Sequence, residues 1–240
     1  MSAQLVIDAD TSWIEAFKRD FCNRVLLAYS RGKDAIASWL VLRDHGIDVV
    51  PYHLYLVPDL EFVQESIDWA ERFFGTKIVQ LPHISFWRML DDLLYQPPDR
   101  VAAINELNPR APSYLQIDNE VRDITGAIDA DWTATGVRAT DSMTRRGSFM
   151  KYGHIRTAAD GRRTMFPVWN FRKSDVMDII KQRGARLPVD YDMWKCSLDG
   201  ITAQFLIPLR KHYPADYRRI LEWFPLAEIE IYRHELKISR

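Results

Sequence analysis

The chain has 240 residues, 47% of them hydrophobic and 27% charged, with a formal net charge of −1. That is the profile of an ordinary globular protein with room for one large domain, or one domain with a helical extension. The balance rules out a global positive field for nucleic acid, and two distant cysteines, Cys22 and Cys196, argue against a disulfide framework, a thiolate metal site or an iron–sulfur cluster held by one chain.

The opening residues, "MSAQLVIDADTSW", lack the basic start and apolar core of a signal peptide, and no apolar run approaches a membrane span. The expectation is a cytoplasmic protein with no membrane partner. "NRVLLAYS" reads as a buried strand over 24–29. "DAIASWLVLRDHG" predicts a helix from Asp34 to His45, with Ile36, Trp39, Leu40 and Leu42 on its apolar face and Gly46 as its stop. "DVVPYHLYLVP" is a second strand. "DLEFVQESIDWAERFFG" is a second helix, capped by Asp59, lined by Phe62, Val63, Ile67, Ala70 and Phe74, and ended by Gly75. A third strand follows from Lys77 to Leu81. Strand, helix, strand, helix, strand with short connections predicts a parallel sheet covered by helices.

From His83 to Asp131 the pattern turns helical, in "SFWRMLDDLLY" and "SYLQIDNEVRDITGAI", around a proline-containing break from Tyr95 to Ser113. The sheet resumes with Trp132 to Val137. "TMFPVW" leads to strand or loop, and "SDVMDIIKQRG" is a short helix with Ser174 as its cap and Gly184 as its end. The tail from Leu198 to Arg240 reads as mostly helical, broken at Pro208, Pro214 and Pro225. The expected class is therefore α/β: an open, mainly parallel twisted sheet with helices on both faces. A nucleotide-binding domain is expected over 1–197, with a helical insertion at about 84–130 and a helical extension over 198–240.

The informative stretch is "LLAYSRGKDAIASW". An apolar strand ends at Tyr29, and Ser30, Arg31, Gly32, Lys33 and Asp34 run straight into a helix. Ligands of open parallel sheets bind beyond the carboxyl ends of the strands. Gly32 lets backbone approach a ligand, Ser30 offers a hydroxyl, and first-turn N–H groups favour an anion. Lys33 fits a helix start, already positive, if phosphate supplies the opposing charge. The P-loop pattern fails, because Leu27 stands where the first Gly belongs and Asp34 where Ser or Thr belongs. The plainer reading is a strand-to-helix turn with solvated charges.

Two later motifs add to this turn. "TGVRATDSMTRR" follows the fourth strand and brings Gly136, Arg138, Asp141, Ser142 and Arg145. An Arg beside a strand end clamps phosphate or sulfate in a bidentate fashion. "FPVWNFRKSDVMDII" brings Pro167, Val168, Asp175, Val176 and Ile180, with Asp175 as a helix-start acid.

Together the three segments, in this order, resemble the phosphoadenosine-phosphosulfate (PAPS) reductase family of PP-loop ATP pyrophosphatases. The resemblance spans roughly residues 20 to 200 with a non-matching middle, and it implies the adenine nucleotide alpha-hydrolase-like fold. Ala35 replaces the usual final Ser of the phosphate loop, Trp169 sits one place early, and the nucleophilic Cys-Gly-x-His motif is absent. Reduction of a sulfonucleotide needs an attacking and a resolving thiol, and here Cys196 is the lone thiol near the matching region.

The resemblance implies an ATP or PAPS site with Mg²⁺ if ATP is the substrate, and no iron–sulfur cluster. Lys33, Asp34, Arg138 and Arg145 are the expected catalytic groups, the three cations offsetting phosphate charge while Asp34 positions the loop or a metal ion. Ala28, Tyr29, Ser30, Arg31, Gly32, Ala35, Tyr55, Gly136, Asp141 and Ser142 complete the expected nucleotide contacts. Adenine is placed near Ala28, Tyr29 and Tyr55. Asp59 is a ribose or metal candidate, which helix capping explains equally well. No metal-ligand set is assigned, since His53, His83 and His154 are scattered.

The expected function is ATP pyrophosphatase-type adenylyl or sulfur transfer to an unknown acceptor. One alternative is a nucleotide-binding regulator, or a subunit of a nucleic-acid-related complex with a protein partner and no turnover. Basic clusters at Arg145–Arg146, Arg162–Arg163 and Lys181–Arg186 motivate it, though a solvated surface explains them too. The other is a sulfonucleotide reductase using Cys196 or a partner's thiol.

Overall fold

A computed structural model describes residues 9–194 and 200–238; Cys196 lies outside the described residues. Six strands form one sheet: β1 (Arg24–Ala28), β2 (Asp48–Tyr55), β3 (Val79–Pro82), β4 (Trp132–Ala134), β5 (Ile155–Thr157) and β6 (Arg163–Met165). Their spatial order is β3-β2-β1-β4-β6-β5. β1 runs parallel to β2 and β4, β4 runs parallel to β6, and β5 closes the edge antiparallel to β6. The α/β architecture expected from the alternating pattern is present. No described helix is long and apolar enough to cross a membrane.

The chain divides into two compact units. The first comprises Met1–His53, Phe73–Val79 and Tyr114–Leu187. Its helices include α1 (Trp13–Asp20) and α2 (Lys33–Asp44). Val25, Leu26 and Leu27 of β1 are fully buried. In α2 every residue from Ala35 to Leu42 is buried, more than the single stripe expected, because the helix also packs against the later helix Lys173–Gln182. A helix apolar nearly all round is one covered on several sides. Trp39 of this helix stacks on Phe74 with ring centroids 3.8 Å apart.

The second unit comprises Leu54–Arg72, Gln80–Ser113 and Pro188–Arg240. It holds most of α3 (Glu61–Phe74), then α4 (Ile84–Asp91) and α5 (Pro98–Leu107). The proline-containing break is thus itself partly helical, with Pro98 at the first position, where a missing N–H costs nothing. Between the β-strands of the first unit run α6 (Tyr114–Thr125) and α7 (Met143–Tyr152), and α8 (Lys173–Gln182) follows β6. The second unit resumes with α9 (Asp190–Trp194), α10 (Ala203–His212), α11 (Pro214–Trp223) and α12 (Ile229–Ile238). Pro208 lies inside α10 rather than breaking it, whereas Pro214 and Pro225 open new helical segments.

Two expected caps are placed differently. α8 begins at Lys173 with Arg172 at its cap, and the Asp175 carboxylate accepts from the Arg172 N–H at 2.7 Å. Ser174 lies inside the first turn. At α3 the capping group is not Asp59, which is left-handed with φ 57°. The fully buried Asp216 of α11 accepts from the Glu61 and Phe62 N–H groups at 2.8 and 3.1 Å. A carboxylate capping from a distant helix ties the unit together and satisfies donors that sequence leaves orphaned. Asp216→Ala is expected to destabilise the protein by about 1–3 kcal/mol, read from urea unfolding, with faster amide exchange at Glu61 and Phe62.

Candidate functional site

The strand order fixes where a site forms. From β1 the chain moves outward to β2 and β3, then returns to the other side of β1 as β4. The carboxyl ends of β1 and β4 are paired neighbours, with Leu27 opposite Ala134. The strand order reverses direction here, and such a switch point is where open α/β sheets bind ligands. Ser30–Asp34 leaves one strand there and Thr135–Arg145 leaves the other.

The first turn is built differently from the expectation. Its left-handed residue is Arg31, with φ 64° and 8% exposure. Gly32 has an ordinary extended conformation as the cap of α2, and its carbonyl accepts from the Ala35 and Ile36 N–H groups, each at 3.0 Å. The Ser30 hydroxyl receives a long 3.4 Å contact from the Gly32 N–H. Ala35 is buried in the first turn.

Gly136 explains how the two loops meet. A Cβ on it would stand 2.6 Å from the Asp34 carbonyl carbon, 2.7 Å from the Ala35 nitrogen and 2.8 Å from the Asp34 oxygen. The loop after β4 therefore touches the first turn of α2 backbone to backbone, which only glycine permits.

Five charged side chains line up across this contact. Lys33 Nζ donates to Asp34 Oδ2 at 2.7 Å. Asp34 Oδ1 lies 2.8 Å from Arg138 Nε. Arg138 Nη2 donates to Asp141 Oδ1 at 2.6 Å, and Arg145 Nη1 donates to Asp141 Oδ2 at 2.8 Å. The Arg138 N–H also donates to Asp141 Oδ2, at 3.1 Å. Three cations against two carboxylates leave one net positive charge. Within the row the roles differ. Arg138 is 5% exposed, whereas the Arg145 side chain is half exposed. Arg138 and Thr140 both donate to the Phe171 carbonyl, at 3.5 and 3.0 Å, so Arg138 braces the loop after β6 as well. Ser142 caps α7, its hydroxyl accepting from the Arg145 N–H at 3.1 Å.

No family model matches this sequence, and no curated protein matches it. Solved structures do. The chain is similar to a phosphoadenylyl-sulfate (PAPS) reductase from Candida auris, solved as a phosphate complex, at 12% identity and a TM-score of 0.48 over 76% of this chain and 83% of that one. It is also similar to an NH3-dependent NAD synthetase from Campylobacter jejuni, solved with nitrate, at 12% identity and a TM-score of 0.44 over 95% and 92%.

The remaining candidates divide. Ala28 ends β1 beside the turn. The Tyr29 ring is 1% exposed and packs edge-on against Trp39, so it belongs to the core. Tyr55 and Asp59 belong to the second unit. There burial, helped by the Asp59 carboxylate, pushes the Tyr55 phenol up. The Asp59 carbonyl accepts from the Arg219 guanidinium. Sequence reasoning missed Thr135, whose buried hydroxyl has no hydrogen-bond partner among the described residues, and Thr140; their signal was two hydroxyl residues flanking Arg138 in "TGVRATDS".

Several cations of the basic clusters lie in ion pairs. Arg162 pairs with Asp118 at 2.6 Å, Arg163 with Asp131 at 3.0 Å and Arg183 with Asp44 at 2.9 Å. Among the described residues no group of three or more His, Cys, Asp or Glu is placed to hold a metal ion.

Proposed function

We propose that this chain binds an adenosine nucleotide, ATP or PAPS, with its phosphate or sulfate groups at the β1–β4 switch point, and that it acts as an ATP pyrophosphatase-type adenylyl-transfer protein. The observation that carries the anion site is the row of cations beyond the carboxyl ends of β1 and β4, with Arg138 buried as a fixed brace, Lys33 partly buried and Arg145 half exposed. In this reading an acceptor oxygen attacks the α-phosphorus. A new O–P bond forms as the bond to the α–β bridging oxygen breaks, and pyrophosphate leaves with the electron pair. Lys33 and Arg145 offset the charge that develops, and Arg138 keeps the two loops in register, so rate enhancement comes from positioning and electrostatics. Mg²⁺ supplies further charge neutralisation when it accompanies a triphosphate. The carboxylates at the site, Asp34 and Asp141, already lie in ion pairs and form no ready cation cradle, so no step is assigned to a bound metal.

Calorimetric titration with ATP, PAPS and AMP tests the reading, beside Lys33→Ala. The nucleotide is expected to bind with a preference for ATP or PAPS over AMP. The variant is expected to lose about 1.5–3 kcal/mol, the worth of a charged hydrogen bond, or ten- to a hundredfold in affinity. ATP preference with turnover to AMP and pyrophosphate supports the transferase. PAPS preference favours sulfonucleotide chemistry with Cys196 or a partner's thiol. Binding without turnover favours the regulator, and absence of binding removes all three.

A further inference from the structure

The Asp34 carboxylate stands where a ligand's anionic group belongs. Its Oδ2 accepts from Lys33 Nζ at 2.7 Å. Its Oδ1 lies 2.8 Å from Arg138 Nε, yet among the described residues neither of those two atoms makes an aligned hydrogen bond. Arg138 is more than nine-tenths buried, so an unaligned guanidinium N–H facing the turn is a donor still lacking a properly directed acceptor. Burial makes that deficit costly, and a tetrahedral oxyanion at the turn corrects it with directed, charge-assisted bonds.

We infer that Asp34 is a built-in counter-anion, a latch that occupies Lys33 and Arg138 in the unliganded chain and is displaced when a phosphate or sulfate group enters. The inference rests on the anion-binding part of the function proposed above and adds its regulation. The latch is competitive: each ligand must replace an internal carboxylate, so apparent affinity is the intrinsic affinity multiplied by the fraction of chains in which the latch is open. It also sets charge selectivity, because the net charge of the row rises by one when Asp34 leaves Lys33 and Arg138.

The test uses the full chain and inorganic pyrophosphate as probe, without divalent cations. Asp34→Asn keeps the shape of the side chain and removes its charge. It is expected to bind pyrophosphate at least tenfold more tightly than the unaltered protein, with a steeper loss of affinity on adding salt. Pyrophosphate is also expected to raise its thermal midpoint by more than that of the unaltered protein. Asp34→Ser, neutral and smaller, serves if the Asn variant does not fold and is expected to gain likewise. In Lys33→Gln/Asp34→Asn most of the gain is expected to vanish. Unchanged or weaker pyrophosphate binding in both neutral variants overturns the latch and leaves Asp34 as a loop-positioning or cation-binding carboxylate. ATP and PAPS titrated in parallel separate the two ideas. A pyrophosphate gain without preference for either nucleotide retains the latch and removes the nucleotide reading. Nucleotide binding by the unaltered protein with no gain in either variant does the reverse.

Discussion

Asp118→Ala is expected to destabilise the protein by about 3–5 kcal/mol, the cost of stripping one partner from a buried ion pair. Asp118 lies on α6 and is fully buried. Its carboxylate accepts from the Tyr52 hydroxyl at 2.9 Å, the Thr133 hydroxyl at 2.8 Å and Arg162 Nε at 2.6 Å. One side chain thus joins β2, β4 and the turn between β5 and β6. Burial, and then the adjacent Asp118 charge, hold the Tyr52 phenol far above its ordinary pKa, so it stays a donor at every physiological pH. Arg162 remains charged: burial opposes the charge, but the hydrogen bonds and field of Asp118 outweigh it. Removing the carboxylate leaves a half-buried guanidinium and two buried hydroxyls without an acceptor. Asp118→Asn, which keeps the shape and loses the charge, is expected to cost less than Ala. Urea unfolding of the three proteins with equal m-values checks the order; an Ala variant within 1 kcal/mol of the unaltered protein would show that water replaces the network.

That network also marks the limit of what sequence carried. The strand and helix pattern of residues 24–81 was legible because each segment repeats its apolar spacing, and its glycine stops are local signals; the helix before it, α1 (Trp13–Asp20), was not read. Helix α6 was legible, but Asp118 within it reads as one more surface acid beside Ile117 and Val121. Only the fold brings Tyr52, Thr133 and Arg162 to it, across separations of 15 to 66 residues. The same holds for Asp216, which caps α3 from 154 and 155 residues away while the local Asp59 does not. At the site, the residue types and their order were legible in "SRGKDA" and "TGVRATDSMTRR". Their pairing was not, because Lys33 and Arg138 read alike as ligand-facing cations until the Asp34 carboxylate is seen between them. Short elements were the least legible: the β5–β6 hairpin has three residues per strand, too few for a period to register.

Gly136→Ala is expected to damage the site and the fold together. The added methyl would fall 2.6 to 2.8 Å from three backbone atoms of Asp34 and Ala35, none of which is the free end of a flexible side chain. Relief requires moving either the first turn of α2 or the loop after β4. α2 is held by eight consecutive buried residues, and the loop is held by Arg138 on the Phe171 carbonyl. Overpacking of this kind costs about 1–3 kcal/mol when backbone gives a little, and more when it does not. The loop is the softer partner, so Arg138 is expected to withdraw from Asp34 and anion affinity to fall by at least the ten- to a hundredfold expected of losing one cation. Gly147→Ala supplies the control. It lies inside the exposed helix α7 with nothing within 4 Å of its added methyl, and it is expected to stabilise by roughly 0.5–1 kcal/mol through the unfolded chain alone. Pyrophosphate titration and urea unfolding of both variants distinguish a steric contact from a general intolerance of substitution. If Gly136→Ala matches Gly147→Ala in stability and in affinity, the two loops do not meet backbone to backbone, and the row of charges from Lys33 to Arg145 has no fixed frame.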